Sequence, residues 1–578
     1  MVERRSWGEK SNVRSALATP VRATIGFPGM SSAAASLSDL RRISPRRELL
    51  LCAALTAAIA GLVLAVGPAP GDAPVHLYRT FLVRDGALIW DNFWYAGTYP
   101  LASYSLLYYL PAALVGNLPL VFAAAVASAV LFSSIALKEW GRDAVWPARI
   151  FAVLAAAPLF TGEYAYTLGF TAMLATLKLL QLRRFWLAAL CGALTVGFSP
   201  LAFVFLCLVV GSYAVWRRQI AVRHVWFGVG LAVAAGIEAA ALVIFPAGTG
   251  SFPFHWIDFV TVLVVSSLGV LVARKARGAG FLVWFYALWG LGSIVIYIIP
   301  TPLGDNWTRL SAFIFPVMLL TASLAGFRPR RLVVLALAAA LAYNLVPYAL
   351  LVPSRLDNNT QSASFWRPAI GFLRHHAQPG FRVEVVPTAE HWEAYWIPKS
   401  GFPLARGWYR QLDTADNPTL YRQNLGPAAY RSWLRANAVQ YVLLSRTAPL
   451  DWDGGPQEAR VVRSHDSGLK EVFRSRNWSI YELPNATPLL TGPANPIVTS
   501  FGHTAIRGQV FAAGRYLLRN HYSPYLRLQG SGCVSQGPDK MTFLDLSRPE
   551  SFALSVPGTP DGLVRELMGD KQATTCGS

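Results

Sequence analysis

The sequence predicts a polytopic α-helical membrane protein that carries two polar modules at its C-terminal end, and three observations predict it. Hydrophobic residues make up 54% of the 578 and charged residues only 14%, against about 25% charged in ordinary soluble domains. The apolar residues come in blocks of the roughly 17 to 25 residues that cross a hydrocarbon core, and mean hydropathy is +0.38. Beyond the last long block, near residue 352, alternating segments punctuated by Pro and Gly take over.

The formal net charge of +20 would suggest nucleic acid in a soluble chain. Here much of the excess is Arg in short segments between apolar blocks, which is how membrane orientation is encoded, so no nucleic-acid partner is expected. The five cysteines show no metal-ligand spacing. Cys52, Cys191 and Cys207 fall in apolar runs and read as small core residues. Cys533 and Cys576 fall in the polar C-terminal part and could pair if that part is extracytoplasmic.

Residues 1–48 read as a basic cytoplasmic tail ending in Arg41-Arg42 and Arg46-Arg47. The membrane domain is predicted over 49–352, with about 11 transmembrane helices near 49–68, 119–138, 148–162, 163–181, 185–198, 199–216, 224–245, 256–273, 279–299, 310–327 and 331–351. Ser199-Pro200 divides two short pieces that read as two half-length helices, a re-entrant pair or one kinked span. With the N-terminus cytoplasmic, every basic cluster between spans falls on one side: Lys138 and Arg142, Arg183 and Arg184, Arg217 to Arg223, Arg274 to Arg277, and Arg328 to Arg331. The protein is then a multi-pass protein of the cytoplasmic membrane with its C-terminal domains extracytoplasmic. Residues 101–116 are read as an interfacial or re-entrant helix, because a further crossing there would put the basic residues at 138–149 outside. Its tyrosines, with Trp90, Trp94 and Tyr95, suit a headgroup belt or a lipid-substrate entrance.

Segments 365–376, 381–386, 428–437, 439–444 and 471–483 alternate helical and strand patterns, predicting an extracytoplasmic α/β domain over 353–485. Short strands between Pro/Gly turns predict a β-rich, sandwich-like domain over 486–578.

Candidate chemistry lies in the outer loops. Gly71-Asp72-Ala73-Pro74-Val75-His76 follows the first apolar block immediately. Asp72 reads either as a helix cap accepting backbone N–H groups or as a catalytic carboxylate at the bilayer surface. Glu163 starts the second outer loop, and Gly304-Asp305-Asn306-Trp307-Thr308-Arg309 precedes another span. A carboxylate within hydrogen-bond reach of an acceptor hydroxyl can take its proton as that oxygen attacks a sugar anomeric carbon, and Asp72 is the residue chosen for this. Arg309 has the planar fork that suits a departing phosphate. His76, four residues from Asp72, is a donor contact, a metal ligand or a supporting histidine. Glu163 reads as a donor or metal contact or as a helix-terminus acid. Asp305 and Arg309 share one helical face and could bridge each other. Trp94, Tyr95, His391, Trp392, Trp408 and Asp413 are substrate-contact candidates, since rings can cover sugar C–H faces. Their alternative role is docking the α/β domain on the membrane domain.

On Gly71 to His76, Phe93-Trp94-Tyr95-Ala96-Gly97 and Gly304 to Arg309, the chain resembles the multispanning GT-C-type glycosyltransferases, especially actinobacterial enzymes that build cell-envelope glycans from polyprenyl-phosphate sugars. The resemblance implies a GT-C-like membrane domain and a catalytic acid in the first outer loop, which maps to Asp72, with an assisting acid in the second, which maps to Glu163. It implies an inverting transfer from a polyprenyl-phosphate donor, with arabinofuranose or mannose as the sugar, to an envelope polysaccharide or glycolipid. A single Asp72 replaces the adjacent acidic pair of other members and leaves metal dependence open, with Asp72, His76 and Glu163 as candidate ligands for Mg2+ or Mn2+. The competing readings are an inactive glycan-binding or assembly scaffold and, less favoured because the helices lack obvious mid-bilayer charges, a transporter.

Overall fold

Apolar blocks bounded by Pro, Gly and basic residues fold into a helical bundle. A computed structural model describes residues 44–576 apart from 68, 102–103, 219–221, 247–249, 328–329, 357 and 558–574. Residues 1–43 of the expected tail, and Arg328 of the last basic cluster, lie outside the described residues.

The helices are α1 (Pro45–Val66), α2 (Ala73–Arg84), α3 (Tyr109–Val115), α4 (Asn117–Trp140), α5 (Val145–Leu154), α6 (Pro158–Thr161), α7 (Tyr164–Gln181), α8 (Phe185–Phe198), α9 (Pro200–Arg217), α10 (Val222–Ile244), α11 (Trp256–Ala273), α12 (Phe281–Ile298), α13 (Ser311–Leu324) and α14 (Arg330–Leu356). Proline at the first or second position starts α1, α2, α6 and α9, where its missing N–H costs nothing. At the break before α9 the Ser199 hydroxyl accepts from Ala202 N at 3.3 Å, so 199–200 separates two helices and does not kink one.

All eleven predicted segments are helical, but among the described residues eight stretches are long and apolar enough to cross a membrane. The segment predicted at 148–162 is two short helices, α5 and α6, within the same 45-residue apolar stretch as α4. Polar Lys178 and Gln181 dilute α7. The 14 residues of α8 span about 21 Å, short of a hydrocarbon core of about 30 Å. Outward-facing Leu62, Trp186, Val243, Ile298 and Leu350 stay exposed, as a surface solvated by lipid tails requires. One expectation is corrected: Glu238 lies within α10, buried, with Oε2 lacking a hydrogen-bond partner.

Beyond the bundle, α15 (Ala363–His376), α16 (Glu393–Lys399), α17 (Arg410–Asp416), α18 (Pro427–Ala436) and α19 (Gly455–Arg463) surround a sheet of β1 (Arg382–Val385), β2 (Val439–Ser445), β3 (Lys470–Arg474) and β4 (Trp478–Glu482). Its order is β1-β2-β4-β3, with β1 parallel to β2 and the other pairs antiparallel. Every residue of β1 and β2 is buried, as expected of strands covered on both faces. Next come β5 (Leu490–Thr491), β6 (Ile497–Phe501), β7 (Ala505–Val510), β8 (Gly514–His521), β9 (Arg527–Gln529), β10 (Gly532–Gln536), β11 (Met541–Leu546) and β12 (Glu550–Ser555). They pair as β10-β11-β8-β5 and β6-β7-β12-β9. Tyr516, Leu518 and Leu544 of the first sheet and Ile506, Phe552 and Leu554 of the second share one core, the face-to-face packing of a sandwich. Cys533 and Cys576 are joined in a disulfide.

The loop after α2 ties these parts together. Residues 101–116 do not form a span: their helix α3 has seven residues and packs on α2. Asn92 donates to Gly502 O at 2.8 Å and accepts from Asn520 at 2.9 Å, and Asn520 in turn accepts from Arg382 at 2.9 Å. Asp91 accepts from Tyr78 at 2.8 Å and pairs with His503 at 2.9 Å. Trp90, Trp94 and Tyr95 are buried in this junction and are not a headgroup belt.

A second loop contact sets the mouth of the bundle. Asp72 N donates to Thr161 O at 2.9 Å, and Gly162 follows in the left-handed region with φ +84°. A Cβ there would sit 2.5 Å from Ala73 N, which is backbone and cannot turn aside. Gly162→Ala is expected to lower stability by about 1–3 kcal/mol, the cost of a strained backbone position, read as a drop in thermal unfolding midpoint in detergent. An unchanged midpoint would show that the two loops are not in register.

Candidate active site

Asp72 occupies the N-cap position of α2 and Glu163 that of α7, yet neither side chain caps its helix. Both turn to Arg309, at the end of the 3-10 segment Gly304–Leu310. Arg309 donates from Nη2 to Asp72 Oδ2 at 2.7 Å and from Nη1 to Tyr104 Oη at 2.7 Å, and its Nε lies 3.7 Å from Glu163 Oε1. The three charged side chains are 16%, 28% and 12% exposed for Arg309, Asp72 and Glu163. Unit charges about 4 Å apart attract by on the order of 4 kcal/mol at an effective dielectric near 20, a gain that leaving water partly offsets. Asp72 therefore does not act as a helix cap, and the loops before α2, α7 and α13 meet at one guanidinium.

His76 is one turn along α2 from Asp72, fully buried, with Nδ1 3.2 Å from Tyr109 Oη and Nε2 without a partner. Tyr104, Tyr108, Tyr109 and Tyr164 ring it at centroid distances of 5.0 to 5.9 Å. Burial, then the charges of Arg309 and Arg79, hold its pKa well below the ordinary imidazole range, so it is neutral. Arg79 lies over the Tyr109 and Tyr409 rings at 5.7 and 5.1 Å and donates to Pro100 O.

Asp72, His76 and Glu163 do not fit a cation site. The guanidinium already lies between the two carboxylates, and these residues are not among the groups whose ligand atoms converge. Asp305 does not bridge Arg309 either, because it pairs with His255, through the backbone N at 2.9 Å and through the ring Nδ1. In the tight 3-10 segment the two side chains diverge.

The outer residues read as glycan contacts or as docking residues make contacts at the junction of the modules. Trp94 donates to Ala394 O at 3.2 Å, and the Tyr95 hydroxyl accepts from Tyr409 N at 2.9 Å. Trp392 and Asp413 are buried, with Asp413 accepting from Tyr421, from Asn417 at 2.8 Å and from Arg406 at 3.4 Å. Arg406 also donates to Glu384 and Glu458. Trp408 donates from Nε1 to Gly71 O at 3.1 Å, the carbonyl just before Asp72, and stacks on His391 at 3.3 Å. The outer module thus holds the catalytic-loop candidate by its backbone.

Sequence reasoning did not place Tyr104, Tyr109, Arg79 or Tyr409 beside Asp72, His76 and Arg309. The tyrosine run at 104–109 was visible, but a tyrosine ring gives no sign in sequence of whether it meets lipid headgroups or a guanidinium.

No protein-family model matches the chain, and no curated protein matches it. Three solved structures of the arabinofuranosyltransferase AftD from Mycobacteria, two of them of a point mutant, resemble it at TM-scores of 0.46, 0.46 and 0.45 with 14% identity. Each match covers 90% of this chain, but the chain spans only 60%, 58% and 60% of the solved chains.

The His391 ring sits between Glu393 Oε1 at 3.1 Å and Asp451 Oδ2 at 3.5 Å, and Arg410 closes on Asp451 at 2.8 Å. Burial pulls the imidazole pKa down, but Asp451 and then Glu393 outweigh it and push the value up to about 8. The folded state therefore prefers the protonated ring, a stabilisation present below pH 6.5 and lost as pH rises through about 8. The loss is roughly 2 kcal/mol. The unfolding midpoint should fall between about pH 6 and pH 9, and His391→Gln should flatten that fall. An equal fall in the variant would assign it to other groups.

Proposed function

We propose that the chain is a membrane glycosyltransferase that moves a sugar from a polyprenyl-phosphate donor to a cell-envelope polysaccharide or glycolipid outside the cytoplasmic membrane. The observation that carries this reading is the meeting of Asp72, Glu163, Tyr104 and Arg309 where the apolar bundle ends. The acid suits a base, the guanidinium suits a phosphate, and the bundle suits a lipid-borne substrate.

In this reading the donor phosphate competes with Asp72 for Arg309. Once the guanidinium turns to the phosphate, the Asp72 carboxylate is released to accept the acceptor hydroxyl proton. The acceptor oxygen bonds to the anomeric carbon as that carbon's bond to phosphate oxygen breaks, and polyprenyl phosphate leaves with the electron pair. Direct displacement inverts the anomeric centre. Glu163 keeps Arg309 in place during the exchange, and neutral His76 adds no positive charge to the ring of tyrosines. The basic segments between spans would face the cytoplasm and the outer modules the opposite side. Arabinofuranose and mannose are the sugars to test first.

One observation favours the competing reading, an inactive glycan-binding scaffold: Asp72 and Arg309 satisfy each other. The full chain in proteoliposomes, given a panel of polyprenyl-phosphate sugars and envelope-glycan acceptors, separates the two. The enzyme reading predicts an inverted product, and a loss of about 10²–10⁴-fold in transfer for Asp72→Asn with unfolding close to wild type. Full activity in Asp72→Asn removes Asp72 as the base, and no product from any pairing favours the scaffold.

A further inference from the structure

The 3-10 segment that carries Arg309 is fastened to the loop before α11. Asp305 N donates to Pro253 O at 3.1 Å, Phe252 N donates to Thr301 O at 3.0 Å, and a Cβ on Gly304 would overlap Phe252 O. At this seam three metal-ligating side chains converge: His255 at the N-cap of α11, Asp258 in its first turn, and Asp305 from the facing segment. One ligand atom from each lies within 4.8 Å of the others. Three donors about 2.1 Å from a tetrahedral ion stand about 3.4 Å apart, so seating a cation opens the hydrogen-bonded His255–Asp305 pair and keeps the Asp258 carboxylate close to both.

The charges at the seam also call for one. Two carboxylates face each other here, and no Lys or Arg among the described residues forms an ion pair with either. The one basic partner is an imidazole on Asp305, which is charged only when protonated. A separate observation lies on α14. The Tyr343 hydroxyl is buried without a hydrogen-bond partner, and the charges of both Asp258 and Asp305 reach it. His255 is 54% exposed, which leaves an entry path and room for water to complete the coordination.

We propose that His255, Asp258 and Asp305 bind a divalent transition cation of the Zn2+ or Mn2+ kind, which clasps the loop before α11 to the segment bearing Arg309. One imidazole with two carboxylates is a borderline donor set, suited to these ions more than to Ca2+ or Mg2+, which prefer all-oxygen ligands. Three protein ligands leave one or more positions to water. The cation is a clasp and takes no part in the proposed transfer, so the site stands whether or not the glycosyltransferase reading does.

The test uses the full chain in nanodiscs, stripped with a chelator and titrated with Mn2+ by electron paramagnetic resonance and with Zn2+ by calorimetry. The expected result is one saturable equivalent and a higher unfolding midpoint when the ion is bound. Asp258→Asn and His255→Gln, made separately, should each weaken binding by more than the roughly 10–100-fold that loss of an outer partner costs. Asp539→Asn, on the distant sandwich, should leave it unchanged. Absence of saturable binding to the wild type, or binding that neither substitution weakens, would overturn the proposal and leave His255–Asp305 a simple polar pair.

Discussion

The architecture converges on a guanidinium shared by two carboxylates. Asp72 begins the helix after the first span, Glu163 begins α7, and Arg309 ends the segment before α13. None of these residues is near the others in sequence, and none could stay in a low-dielectric boundary layer unpaired without a large desolvation cost. Their pairing therefore constrains how three helices enter the bundle. Close backbone contact at Gly162, where Asp72 N meets Thr161 O, supplies the approach that side-chain attraction alone would not.

The outer modules complete that constraint from above. Trp408 holds the Gly71 carbonyl, and Tyr409 packs against Trp94 and Tyr104 and under Arg79. The loop bearing Asp91 and Asn92 is bonded to the sandwich through His503, Gly502 and Asn520. Movement of the outer modules would thus be felt at the residue before Asp72. A site with an acid, a guanidinium and a tyrosine ring is assembled at the edge of lipid, with the polar modules as its lid and the apolar bundle as its floor.

Much of this was legible in the sequence, because burial against lipid leaves a strong signal. Eleven apolar blocks became helices, and the helical and strand segments between Phe365 and Leu483 fell close to where alternation placed them. The count of crossings was less legible, since α5 and α8 are apolar but short, whereas α7 is long enough but diluted by Lys178 and Gln181. Asp72, Glu163 and Arg309, which the structure brings together, stood out because charged residues at the ends of apolar blocks are few. Asp305 was misplaced because helical spacing was assumed where the chain makes a 3-10 turn. The aromatic stretches around Trp94, His391 and Trp408 were read as substrate contacts or membrane belts. A ring buried between two modules and a ring stacked on a sugar have the same sequence signature, and only the fold separates them.

The central claim is that a lipid-borne phosphate takes the guanidinium that Asp72 now holds. Electron cryomicroscopy of the full chain in nanodiscs with a polyprenyl phosphate tests it most directly. The account predicts phosphate density within hydrogen-bond reach of Arg309, with the Asp72 carboxylate displaced from the guanidinium and open to an acceptor. Phosphate bound elsewhere, with Arg309 still closed on Asp72 and Glu163, would contradict it.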